Sequence, residues 1–85
     1  MPYYSYILRC ADGSLYSGYT ANIKKRLATH NSGKGAKYTR AHLPVELAFI
    51  EEFEDKSAAM RREYEYKKLS HAQKLILIDE KPILT

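Results

Sequence analysis

Two aromatic and branched runs on either side of Asp12-Gly13 constrain this chain more than any other feature. Tyr3-Tyr4-Ser5-Tyr6-Ile7-Leu8-Arg9-Cys10 leads into the glycine, and Leu15-Tyr16-Ser17-Gly18-Tyr19 leads away from it. That pattern predicts an N-terminal β-hairpin. Side chains alternate faces along a strand, so the loop length decides what the strands present. With Asp12 and Gly13 alone as the loop, Ala11 pairs with Ser14, and Tyr6 and Tyr16 face opposite ways. With a loop of Ala11, Asp12 and Gly13, the glycine left-handed, Leu8 pairs with Tyr16 and Tyr6 with Gly18. Both phenols then share a face, with Gly18 as an open floor beside them because it has no side chain. Local sequence admits both loops.

At 85 residues the chain is long enough for one domain with a modest core. Its single cysteine, Cys10, excludes an internal disulfide, and no combination of Cys10 with His30, His42 and His71 has zinc-site spacing. No apolar run approaches the ~20 residues a bilayer requires, and the first residues do not read as a leader. The expectation is a cytoplasmic protein without membrane contact. Basic residues outnumber acidic ones only 14 to 10, but unevenly. Gly13 to Val45 holds Lys24, Lys25, Arg26, Lys34, Lys37 and Arg40 with no acid, and acids crowd between Glu46 and Asp55. Folded onto one side, that stretch makes a basic surface suited to phosphate; spread around the molecule, it is ordinary solvated surface.

After the hairpin, Thr20 or Asn22 can cap a helix running to about Asn31, with Gly33 and Gly35 as its stop. Ile23 and Leu27 mark its core face. At ~100° per residue, Arg26 and His30 border that stripe about 60° and 20° from Ile23. Asn31 to Pro44 has no apolar period and reads as a loop, in which Lys37, Tyr38, Thr39 and Arg40 supply two cations, an aromatic ring and a hydroxyl for phosphate contact and base stacking. Val45, Leu47 and Phe49, then Ile50 and Phe53, form a mostly alternating run that reads as a third strand joining the hairpin. Asp55 or Ser57 opens a second long helix to about Leu69, with Ala59, Glu63 and Tyr66 along its inner stripe. Ser70 and Gln73 form a capping box for a last helix. The architecture is therefore α/β: a small three-stranded antiparallel sheet flanked by helices, in the order β-β-α-β-α-α.

Glu63 is the most informative residue of the set. An ionised carboxylate on a packed face is costly unless it pairs with a cation or holds a metal. Either it makes a salt bridge to Arg26 or another inward base, or it ligates Mg²⁺ (or Mn²⁺), which takes one or two carboxylates and completes its shell with water and phosphate oxygens.

Tyr6, then Tyr16-Ser17-Gly18, Arg26 ten residues after Tyr16, and Glu63 on a later helix together resemble the signature of the GIY-YIG nuclease superfamily. Lys37-Tyr38-Thr39-Arg40 and the strand after Pro44 extend the likeness to its small stand-alone members, and a bacterial nucleotide-excision-repair endonuclease carries a related domain. Three positions depart from the pattern: Tyr4-Ser5-Tyr6 lacks the first triplet's glycine, Ser17 stands for an isoleucine, and Tyr19 for a frequent lysine. The resemblance implies the three-residue loop and a metal-dependent endonuclease acting on nucleic acid, DNA rather than RNA, with a DNA-repair role in view. It implies Tyr6, Tyr16, Arg26, His30 and Glu63 as catalytic residues, Glu63 as metal ligand, and Gly18, Lys37, Tyr38, Thr39 and Arg40 as substrate contacts. Specificity would come from a protein partner or from nucleic-acid shape. Tyr6 and His30 share water activation in this scheme, because a phenol pKa near 10 is unfavourable for a base at neutral pH, whereas an imidazole near 6.5 is not. The rival reading is a nucleic-acid-binding module that keeps the basic face and does not cut.

Overall fold

Gly13 settles the hairpin register. It lies in the left-handed region, at φ +86°, its N–H donates to Cys10 O at 2.9 Å, and Cys10 N–H donates to Ser14 O at 2.8 Å. The loop is thus the three-residue one, with Leu8 opposite Tyr16 and Tyr6 opposite Gly18. The Asp12 carboxylate accepts from both the backbone N–H and the hydroxyl of Ser14, fixing the corner.

The computed structural model describes residues 2–80. Its elements are β1 (Tyr3–Cys10), β2 (Leu15–Thr20), α1 (Ile23–Asn31), α2 (Lys37–Arg40), β3 (Val45–Phe53), α3 (Lys56–Lys68) and α4 (His71–Glu80). The sheet order is β2-β1-β3, both pairings antiparallel. The expected α/β architecture is present, with β1 at the centre and β2 left as an edge.

Two departures from the sequence reading shape the molecule. The first is in β3: pairing steps from Ile7/Phe49 to Leu8/Leu47, so Ala48 is an extra residue in a bulge. Strict alternation of Val45, Leu47 and Phe49 therefore fails. Val45 and Leu47 join Tyr6, Leu8, Cys10, Ile23 and Leu27 on one face, while Ala48 and Phe49 join Ile7, Tyr66 and Ile78 on the other. One bulge feeds both cores. The second departure is α2, a single turn inside the stretch read as loop.

Helix ends follow local chemistry. The Asn22 side chain accepts from Lys25 N–H and the Asp55 side chain from Ala58 N–H. Ser70 and Gln73 exchange hydrogen bonds, Ser70 N–H to Gln73 Oε1 at 2.8 Å and Gln73 N–H to Ser70 Oγ at 3.2 Å. At the far end of α1, the Asn31 amide bonds Val45 in both directions, at 2.8 and 3.0 Å, and ties the helix to β3. On the opposite face Ser5 Oγ donates to Ala59 O at 2.6 Å, and Glu51 accepts from Arg62 Nε and Tyr66 Oη. Tyr66 and Phe49 meet edge to face and are fully buried; each contributes on the order of 1.5–3 kcal/mol by leaving water.

Candidate active site

Tyr6, Tyr16, Gly18, Arg26, His30 and Glu63 line one hollow of about 370 Å³, together with Tyr19, Lys34, Gly35 and Ala36. β1 supplies Tyr6, β2 supplies Tyr16 and Gly18, and successive turns of α1 supply Arg26 and His30. Glu63 reaches the same space from α3. The three-residue loop makes this possible, since a shorter one would turn Tyr16 to the far side of the sheet.

Gly18 serves a purpose other than an open floor. A Cβ there would meet Tyr6 Oη and lie 2.6 Å from Tyr6 Cζ, so the phenol already fills the space that the missing side chain leaves. Gly35 makes the corresponding allowance for His30: a Cβ would collide with Nδ1 and stand 2.9 Å from the histidine Cα. Local sequence marked Gly35 only as a helix stop.

Thr39 is likewise corrected. Expected at the surface as a substrate contact, it is fully buried. The one-turn helix α2 points its hydroxyl inward, where Thr39 Oγ1 lies 2.8 Å from His30 Nδ1 and donates to Ala36 O at 3.0 Å. A hydroxyl has one hydrogen to give. With it committed to Ala36 O, Thr39 Oγ1 accepts from His30, so Nδ1 carries the imidazole proton. Nε2 then presents its lone pair to Tyr6 Oη, 3.3 Å away. His30 is itself buried and stands edge-on to both Tyr6 and Tyr16, with ring centroids at 6.3 and 5.5 Å.

Lys37, Tyr38 and Arg40 are exposed outside the hollow, and the cation that lines it from this segment is Lys34. Tyr38 stacks 6.3 Å from Tyr16 and 4.6 Å from His42, which extends the aromatic wall outward.

Burial drives the Tyr6 phenol up to about 12, despite the opposing charge of Arg26 beside it. The same two influences act on His30 together: burial first, then the Arg26 charge, hold its imidazole below the ordinary value. Tyr6 is therefore a protonated phenol at rest and His30 a neutral imidazole.

Glu63 pairs with Lys67 one turn along α3, at 3.3 Å, rather than with Arg26, and only 16% of its side chain is exposed. Among the described residues no three His, Cys, Asp or Glu side chains cluster as metal ligands. A lone sheltered carboxylate facing an open hollow fits a hard cation that draws most of its ligands from water and phosphate. It does not fit zinc, which wants a closed set of nitrogen and sulfur donors.

A family model of the GIY-YIG catalytic domain matches residues 2–75. A UPF0213 protein of Staphylococcus haemolyticus is 57% identical over 79 residues, covering 93% of this chain and 96% of its own. Another from Bacillus licheniformis is 61% identical over 79 residues, covering 93% and 81%. The solution NMR structure of a UPF0213 protein from Bacillus halodurans superimposes with a TM-score of 0.62 at 49% identity, over 95% of this chain and 86% of that one. The chain belongs to the GIY-YIG family, whose fold and site define nuclease-type chemistry. Within it, its relatives are the UPF0213 proteins, a small single-domain group. Among the described residues no helix is long and apolar enough to cross a membrane.

Proposed function

We propose that this protein is a metal-dependent endonuclease that hydrolyses phosphodiester bonds in nucleic acid, DNA in preference to RNA. One observation supports the reading: Tyr6 Oη lies 3.3 Å from His30 Nε2 on the wall of the hollow that Arg26 and Glu63 also line. Hydrolysis requires an activated water, donors to the phosphoryl oxygens, and neutralisation of the leaving oxygen. Each has a residue.

Tyr6 takes a proton from water as it passes its own to His30 Nε2, and the hydroxide so formed attacks phosphorus while the bond to the leaving oxygen breaks. As a free phenolate at pH 7, Tyr6 would face a five-unit mismatch from its value of about 12, about 7 kcal/mol. Concerted transfer to His30 avoids forming that phenolate alone in a buried setting. Arg26 presents its fork to a non-bridging oxygen. Tyr16 orients water or phosphate. Glu63 would hold Mg²⁺ or Mn²⁺, which when bound supplies positive charge at the phosphate and its leaving oxygen. Lys34, Lys37, Tyr38 and Arg40 guide the strand to the hollow, and a protein partner supplies further specificity. The setting is cytoplasmic DNA processing, repair included.

The test is incubation of the purified chain with labelled single-stranded DNA, double-stranded DNA and RNA, with Mg²⁺, with Mn²⁺ and with EDTA. Metal-dependent cleavage of DNA ahead of RNA is the expected result. Salt-sensitive binding with no cleavage under any condition would establish the non-cutting module instead.

A further inference from the structure

Beyond the hollow, across the outer edge of β2, lies a groove of about 290 Å³ lined by Leu15, Tyr16, Ser17, Tyr38, Lys67 and Lys74. Tyr16 is the wall that the groove and the hollow share. Three features of its lining are costly to an isolated protein. Ser17 Oγ is buried with no hydrogen-bond partner, alone in this among the side-chain polar atoms of the described residues. An apolar side chain would avoid that cost, and Ser17 stands where the related triplet has isoleucine. Lys67 and Lys74 line the same groove from different helices, close enough for the Lys67 charge to bear on Lys74. Lys74 is half-buried, and no ion pair joins it to a carboxylate among the described residues, whereas Lys67 is shared with Glu63. Burial and the Lys67 charge both hold the Lys74 ammonium below its ordinary range.

A hydroxyl without a partner and two lysines lining one groove are complementary to one kind of ligand, an anion rich in acceptor oxygens. We propose that this groove is a second phosphate subsite, which holds the nucleic-acid strand one or more nucleotides away from the phosphate cut in the hollow. Lys74 and Lys67 supply the charge, Ser17 Oγ donates from the floor, and Tyr38 forms the far wall. Continuity through Tyr16 selects a strand over a free anion, because a polymer with a phosphate at every step can occupy both places at once. This inference rests on the nuclease reading for its direction and is tested separately from it.

The experiment follows backbone amide shifts of the isotope-labelled full chain in EDTA, titrated with inorganic phosphate, a single-stranded oligodeoxynucleotide and polyglutamate. The oligonucleotide should shift Ser17 and Lys74 together with Gly18 and Arg26, at concentrations where phosphate and polyglutamate leave Ser17 and Lys74 in place. Ser17→Ala and Lys74→Gln should each weaken oligonucleotide binding about three- to fivefold. Lys74→Gln should also lower the salt slope by about 0.7, the value for one phosphate contact on a single strand. Ser17→Ala should melt no lower than the parent, which separates a ligand contact from a structural one. Shifts confined to Gly18 and Arg26, parent-like binding by Lys74→Gln, or equal response to all three anions would each overturn the subsite. Cleavage by the parent decides the nuclease reading independently of these outcomes.

Discussion

Tyr6 Oη and His30 Nε2 stand 3.3 Å apart, and the sense of the hydrogen bond between them is set on the other side of the imidazole. Thr39 Oγ1, committed to Ala36 O, accepts from Nδ1 and leaves Nε2 to accept from the phenol. Positioning of this kind fixes which nitrogen is basic without touching the reacting atoms.

Thr39→Val should therefore release the tautomer. Nitrogen chemical shifts of His30 should move from the Nδ1–H form toward a mixture, and cleavage should fall by about 10-fold, consistent with ~1–3 kcal/mol for a buried partner lost. Thr39→Ser should restore both. A parent-like tautomer in the valine variant would refute the assignment.

Glu63→Gln removes the carboxylate charge at nearly constant shape. Metal-dependent cleavage should drop to background, while the melting temperature changes little, since the lost Lys67 pair is half in solvent and worth less than about 1 kcal/mol. Full activity across a Mg²⁺ and Mn²⁺ titration would exclude Glu63 as the ligand.

Gly18→Ala and Gly35→Ala place a methyl group against Tyr6 and His30 respectively. Each should cost about 1–3 kcal/mol of stability, the usual range for overpacking. Gly35→Ala should be the worse, because its Cβ meets the histidine backbone as well as the ring. Denaturant melts measure the first effect, and cleavage rates at a temperature where both variants are folded measure displacement of the site.

The His30 imidazole, lowered from 6.5 by burial and then by Arg26, makes the acid side of the pH profile informative. Between its lowered folded value and 6.5, the unfolded chain binds more protons than the folded one. Stability from this group thus rises with pH through that window, is complete above 6.5, and is lost as pH falls toward the folded value. If the proposed mechanism holds, with neutral His30 as proton acceptor, cleavage should decline on acidification with a midpoint below 6.5, and His30→Gln should flatten that limb. A midpoint at or above 6.5 would contradict a buried neutral base.

Much of this was legible because it is local. Asp12-Gly13, the Asn22 and Asp55 caps and the Ser70-Gln73 box act over two or three residues, and the structure uses each where the sequence placed it. Helical period put Arg26 beside His30 and Glu63 beside Tyr66. The stretch from Asn31 to Pro44 was harder, because its role depends on what it packs against. Thr39 looked like a surface hydroxyl until α2 turned it toward His30, nine residues back, and Gly35 looked like a helix stop until the imidazole proved to need its missing Cβ.

By itself, the sequence determined the three strands, the three longer helices and the caps that start those helices, since these follow from backbone preferences and spacings within a few residues; the single turn α2 was not among them. The sequence left two hairpin registers standing, and it gave no sign of the β3 bulge. Only the tertiary structure decided those, together with the tautomer of His30, the phenol resting in the space above Gly18, and the pairing of Glu63 with Lys67. Each is fixed by atoms from segments that meet only after folding, or by competition between partners that no spacing rule can rank.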